Sequence, residues 1–146
     1  MEAAYFFKRQ EVKSIMTGIV LDMQSVLYAR LLERAILQEL DDYQIIISKT
    51  PELTKDICEI HRPHIVIMEV TGYSPWMLNE RLSLSSKIKK ENPECKILFM
   101  TDGDADKKLA DQIVKAKQDG YADAILFTSV SERFLAAVIK SLGNQE

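Results

Sequence analysis

The apolar positions of this chain alternate between short unbroken runs and stretches with a helical period. Gly18-Ile19-Val20-Leu21 is a run of the kind carried by a strand buried on both faces. From Ser25 the period changes. Val26, Leu27, Leu31, Ala35 and Leu40, joined by Leu32 and Ile36, predict a helix with one broad apolar face, and Ser25 is a natural N-cap. Tyr43 to Ser48, containing Ile45-Ile46-Ile47, predicts a second strand. Thr50-Pro51-Glu52 then opens a helix, with a cap followed by proline in the first turn. His64 to Val70 predicts the third strand and places Glu69 near its C-terminal end. Ser74-Pro75 repeats the cap-then-proline pattern and predicts a helix to about Glu91, ended by Asn92-Pro93. Lys96 to Thr101 predicts the fourth strand, Asp104 to Asp119 a polar helix stopped at Gly120, and Ala122 to Thr128 the fifth strand. Ser131-Glu132 begins a last helix through Leu142, with Gly143 as its C-cap. Residues 1–16 show no clear period and are set apart as an N-terminal extension of a domain spanning 17–146.

Strands alternating with helices in this way predict an α/β fold, a doubly wound parallel sheet covered on both faces by five helices. Five strands favour the flavodoxin-like order 2-1-3-4-5, whose functional crevice lies outside the C-terminal strand ends near strands 1 and 3. Four residues fall at those ends: Asp22, Glu69, Thr101 and Thr128.

The segments Ile19-Val20-Leu21-Asp22, Pro63-His64-Ile65-Val66-Ile67-Met68-Glu69, Ile97-Leu98-Phe99-Met100-Thr101 and Tyr121-Ala122-Asp123-Ala124-Ile125-Leu126-Phe127-Thr128 carry a family resemblance. Over about Gly18 to Leu142 the chain resembles a response-regulator receiver (CheY-like) domain. Receivers carry two consecutive acids after strand 1, an acceptor aspartate ending strand 3, Thr or Ser ending strand 4, and Lys ending strand 5. Here Asp22 keeps one acid of the pair and Met23 replaces the other. Glu69 stands at the acceptor position, one methylene longer than aspartate. Thr101 keeps the hydroxyl, Thr128 takes the lysine position with Ser129 after it, and Ile125 falls where an aromatic switch residue is common.

The resemblance therefore implies an atypical receiver, a pseudo-receiver in which the usual phosphotransfer is lost. A thioether is a poor ligand for Mg²⁺, which wants oxygen donors, so at most weak Mg²⁺ binding is expected, with no other metal and no cofactor. A displaced carboxylate is poorly set for in-line attack. What remains is a non-enzymatic module of two-component signal transduction that works by protein contact. The resemblance implies a homodimer through the face of the fourth helix, fifth strand and fifth helix, and a histidine kinase or a fused or separate DNA-binding output as partner. Two alternatives stand beside this. One is a divergent receiver that is still phosphorylated and controls a transcriptional output. The other is a small-ligand-binding flavodoxin-like domain, against which stands Asp22-Met23-Gln24-Ser25 where a Gly-rich phosphate loop would be needed.

Composition narrows the setting. A formal charge of −3 over 146 residues gives no basic excess for direct nucleic-acid binding. No stretch approaches the roughly 18 apolar residues of a membrane span. Cys58 and Cys95, the only two cysteines, are far apart and lack CxxC spacing, which favours a reduced, cytoplasmic protein over a disulfide framework.

Several conspicuous residues have plain structural explanations. His61 and His64 are separated by Pro63 and a change of element, which argues against a joint metal site. Cys58, between Ile57 and Ile60, is expected as a buried small hydrophobe. Asp102, Asp104 and Asp106 lack the glycine and terminal glutamate of a calcium loop. Lys87, Lys89 and Lys90 suit a helix C-terminus. Tyr73, Trp76 and Met77 are either core cover or an exposed patch, and Tyr5, Phe6 and Phe7 are expected to contact another chain.

Overall fold

The protein is described by a computed structural model covering residues 17–102 and 107–143. Its elements alternate without exception: β1 (Thr17–Asp22), α1 (Val26–Glu39), β2 (Tyr43–Ser48), α2 (Pro51–His61), β3 (Ile65–Glu69), α3 (Leu78–Glu91), β4 (Lys96–Thr101), α4 (Lys107–Gln118), β5 (Ala124–Phe127) and α5 (Glu132–Gly143). All pairings are parallel, and the sheet order is β2-β1-β3-β4-β5, as the apolar runs predict. The aromatic extension and Asp104 and Asp106 lie outside the described residues.

The two-residue repeat of the strands divides the interior into two cores. Ile19, Leu21, Ile65, Ile67, Leu98, Met100 and Leu126 pack against Ala29, Leu32 and Ile36 of α1 and Leu135, Ile139 and Leu142 of α5. Val20, Val66, Met68, Ile97 and Phe99 face the other way, against Cys58 of α2, Leu84 and Ile88 of α3, and Ile113 and Ala116 of α4. So α1 and α5 cover one face, and α2, α3 and α4 cover the other.

Local chemistry sets most boundaries. Ser25 caps α1 by accepting from the Tyr28 amide at 3.2 Å, and Thr50 caps α2 by accepting from the Leu53 amide at 3.3 Å. α4 stops at Gly120, whose φ of +90° is open to glycine at little cost. Ser131 accepts from the Phe134 amide at 3.1 Å at the start of α5. His64 Nδ1 accepts from the Gly18 amide at 3.0 Å, which joins β1 to the approach to β3 and gives this histidine a structural role. Lys89 pairs with Asp123 at 2.8 Å, and the same carboxylate oxygen accepts from the Ile97 amide at 2.8 Å, so the end of α3 is tied to the start of β4.

Two expectations are corrected. Ser74-Pro75 does not open α3. Its peptide is cis, and the segment forms a turn in which the Trp76 amide donates to Tyr73 O and the Thr71 amide to Trp76 O. The Ser74 hydroxyl donates to Glu80 Oε2 at 2.9 Å instead of capping, and the helix begins at Leu78 behind Met77, which makes no side-chain cap. The broad apolar face predicted for α1 is also divided. Its buried residues are Ala29, Leu32, Ala35 and Ile36, while Val26, Leu27 and Leu31 are exposed. Tyr73 and Met77 are exposed as well, and Trp76 is half-buried. Among the described residues, no helix is long and apolar enough to cross a membrane.

Both thiols are free and buried, and burial pushes each up to about 12 from an ordinary value of 9.0. The neutral thiol is thus the form compatible with the fold. Unfolded thiols lose their protons first as pH rises, so stability should be full below about 9 and fall between 9 and 12. Urea unfolding across that range should show the decline, and Cys58→Ala should flatten it; an unchanged slope in the variant would contradict this account.

Candidate functional site

The strand repeat also decides which way the site residues point. Asp22 follows Val20 on the α2–α4 side of β1, while Met23 enters the core beneath α1 and α5 with Leu21 and Met100. Both are buried. The position where the resemblance implied a second metal-pocket acid is therefore occupied by apolar packing.

Asp22 does not stand alone. Arg81, in the first turn of α3, is 0% exposed and closes on it from the side. Its Nη1 donates to Asp22 Oδ2 at 2.8 Å and its Nη2 to Asp22 Oδ1 at 3.0 Å, a two-pronged pairing of guanidinium with carboxylate. Nη2 also donates to the Asp22 carbonyl at 3.0 Å, and Nε to the Glu69 carbonyl at 2.8 Å. Thr54 of α2 adds its hydroxyl to Asp22 Oδ2 at 2.6 Å, and Ser48 Oγ, at the end of β2, lies 2.6 Å from that hydroxyl. Three donors thus converge on one carboxylate, which offers about four lone-pair sites in all. Removing such charges from water costs several kcal/mol each, and only a fully bonded geometry offsets that cost. Here every nitrogen of the guanidinium and both oxygens of the carboxylate have at least one hydrogen-bond partner.

Glu69 is built differently. It continues the Ile65 and Ile67 side of β3, and its carboxylate accepts from the Gln24 amide at 2.9 Å. Arg81 contacts its carbonyl and not its carboxylate. Tyr28 of α1 lies near this charge. Its phenol is held above its ordinary value by burial first, and then by the charges of Glu69 and Asp102. Tyr28 donates its hydroxyl to Met100 Sδ at 3.5 Å. Thr101 is buried and donates to the Val70 carbonyl at 3.1 Å, so its hydroxyl is committed to the loop after β3. Thr128 lies just past β5, and its amide donates to the Thr101 carbonyl at 3.0 Å. Ile125 is half-buried and packs against the core under α2, α3 and α4.

All the sequence-predicted positions therefore lie along the C-terminal edge of the sheet or lead into it. The bonded centre of that edge includes residues the sequence did not single out: Arg81, Thr54, Ser48 and Gln24. One signal for Arg81 was present. It shares a helical stripe with Leu84, Ser85 and Ile88, at i+3, i+4 and i+7, all of them buried. A charge on such a stripe calls for a buried partner. The donor set does not fit the divalent cation that the resemblance implies. Asp22 is already occupied by a guanidinium, Met23 offers a thioether turned into the core, and no group of three or more potential ligands converges among the described residues.

This is the fold of the response-regulator receiver domains, with five parallel strands in the order 2-1-3-4-5 and five helices. A LuxR-family DNA-binding response regulator from Staphylococcus aureus superposes with a TM-score of 0.71 at 18% identity, covering 88% of this chain and 100% of that one. A response regulator from Thermotoga maritima gives 0.72 at 17%, covering 89% and 99%. A CheY-like receiver domain protein from Methanospirillum hungatei gives 0.67 at 19%, covering 86% and 92%. No family model matches the chain, and no curated protein matches it in sequence. At such identities the likeness fixes the fold, and the chemistry rests on this chain's own residues.

Arg81→Met keeps much of the side-chain volume but leaves the Asp22 charge buried and unpaired. Chemical denaturation should show a loss of about 3–5 kcal/mol. Adding Asp22→Asn to that variant should restore part of it, because the orphaned charge is gone. A wild-type midpoint for Arg81→Met would refute the structural weight given to the pair.

Proposed function

We propose that this domain is a non-enzymatic signalling module of the receiver type, which has left phosphotransfer and works by protein contact. The observation that carries this is the Arg81 guanidinium bound in two-pronged fashion to Asp22. A receiver needs its acids free to hold a dication beside the acceptor; here the retained acid already holds an internal cation that is wholly buried.

The other positions point the same way. The Glu69 carboxylate is bonded to the Gln24 amide, the Thr101 hydroxyl is committed to Val70 O, and Thr128 supplies no cation where receivers have lysine. In-line phosphoryl transfer depends on positioning and on counter-charge at the transferred group. Neither is available to Glu69. A domain so arranged holds one state of the two that phosphorylation ordinarily selects, with Glu69 as a fixed charge at the acceptor position. Its two free thiols suit a reduced, cytoplasmic setting.

Incubation of the full chain with acetyl phosphate and Mg²⁺ should leave it unmodified by mass spectrometry, and the fluorescence of its single tryptophan, Trp76, should not respond to Mg²⁺ alone. Stoichiometric acid-labile phosphate on Glu69 or a neighbouring side chain would instead establish a divergent but active receiver.

A further inference from the structure

β2 forms one edge of the sheet: β1 pairs with one side of it, and no strand follows on the other among the described residues. A free edge is a template for further pairing, and folded proteins commonly blunt it with lysine, proline, a bulge or a very short strand. At the opposite edge, β5 is four residues long. β2 is six residues long, Tyr43 to Ser48, and contains no charge and no proline. Its Tyr43, Ile45, Ile46 and Ile47 are only partly buried. The Thr17 amide donates to the Asp42 carbonyl, so in this parallel ladder the even-numbered residues turn their N–H and C=O groups toward β1. Tyr43, Ile45 and Ile47 turn theirs outward. The shoulders of the edge are apolar too. Leu40 shares a core with Tyr43, Ile45 and Ile47, and Leu37, one turn earlier on α1, is 47% exposed. On the other face Ile57 shares a core with Ile46, and Leu53, one turn earlier on α2, is 45% exposed.

We propose that the outer edge of β2 pairs antiparallel with β2 of a second copy of this chain, extending the sheet across a two-fold axis. The edge fits itself in one register. A two-fold axis normal to the sheet keeps every side chain on its own face, so only residues of equal parity can meet. Setting Ile45 opposite Ile45 of the second copy obeys that rule. It also places all three outward-turned residues in hydrogen-bonded pairs, Ile45 with itself and Tyr43 with Ile47 on either side. The next allowed step in either direction sets Tyr43 opposite Lys49, or Ile47 opposite Asp41, past the end of the strand. In the favoured register an aromatic side chain meets a β-branched one, a stabilising cross-strand pair. Just beyond the strand, the exposed Asp41 of each copy comes to the exposed Lys49 of the other, so unlike charges close both ends. The contact does not depend on the state of Glu69 and goes beyond the protein-contact function proposed above.

Sedimentation equilibrium of the full chain at low salt should show monomer passing to dimer across the micromolar range. Asp41→Lys and Lys49→Asp should each weaken the dimer at least about 5-fold, by setting like charges at both ends, and the double variant should restore it. Both positions are exposed, and circular dichroism checks that the fold is intact. Cysteine substitution reads the register. Cα atoms of directly opposed, hydrogen-bonded residues lie about 5.5 Å apart, within reach of a disulfide. Ile45→Cys should therefore cross-link two copies under mild oxidation by diamide. Gln44→Cys, more exposed but out of step with its own copy, should not. The native Cys58 and Cys95 are buried and serve as the silent background. A strict monomer, charge variants that dimerise like wild type, or failure of Ile45→Cys to cross-link faster than Gln44→Cys overturns the proposal. So does a dimer that Tyr121→Asp dissolves and Asp41→Lys leaves intact, because pairing then uses the face of α4, β5 and α5. A chain that takes phosphate on Glu69 yet dimerises in this register removes the proposed function and leaves the edge. A strict monomer that refuses phosphate does the reverse.

Discussion

The pairing of Arg81 with Asp22 is the contact on which the arrangement of the sheet's C-terminal edge depends. One guanidinium reaches the Asp22 carboxylate, the Asp22 carbonyl and the Glu69 carbonyl, so the start of α3 is fixed to the ends of β1 and β3 together. Next to it, the Val70 amide donates to Met100 O at 2.8 Å and Thr101 donates back to Val70 O, which ties the same loop to β4. Burying two charges is expensive, and a pair with one partner missing is worse than no pair at all. The network therefore behaves as a unit. Thr54 belongs to it because its hydroxyl takes up further acceptor capacity of Asp22 Oδ2 away from water, and Ser48 because its Oγ lies 2.6 Å from that hydroxyl.

The strand repeat explains why the two acidic positions have diverged in role. Adjacent residues at the end of β1 point to opposite faces, so Asp22 meets α2 and α3 while Met23 is sealed beneath α1 and α5. On β3 the same parity sends Glu69 toward the α1 side, where Gln24 and Tyr28 lie. The retained acid and the glutamate thus answer to different surroundings. A charged, bonded cluster lies on one side of β1, and a carboxylate held by a backbone amide lies on the other.

The same division bears on α1. Its inner face meets the core with Ala29, Leu32 and Ile36, while Leu27 and Leu31 belong to a second, outward stripe that the fold leaves open. Helical spacing by itself merged the two stripes into one broad face. Only the position of α5 shows where the buried part ends.

The order of elements, the parallel sheet and its two-sided core were legible in the sequence, because strand and helix periods are local properties written in consecutive residues. The strand-end residues Asp22, Glu69, Thr101 and Thr128 were legible for the same reason, since the fold class says where strand ends converge. The caps at Ser25 and Thr50 were legible from neighbouring residues, whereas Ser74-Pro75 was not. Its hydroxyl had a competing acceptor in Glu80, and the same dipeptide formed a turn. Arg81 lies 59 residues from Asp22 along the chain. Its misplaced charge on an apolar stripe was visible, but its partner was not, because no local pattern encodes which carboxylate a buried guanidinium will meet. Sequence alone determined the scaffold and the positions around its crevice. Tertiary packing decided that the crevice carries its own cation, since a contact between distant segments exists only once the sheet has brought their ends together.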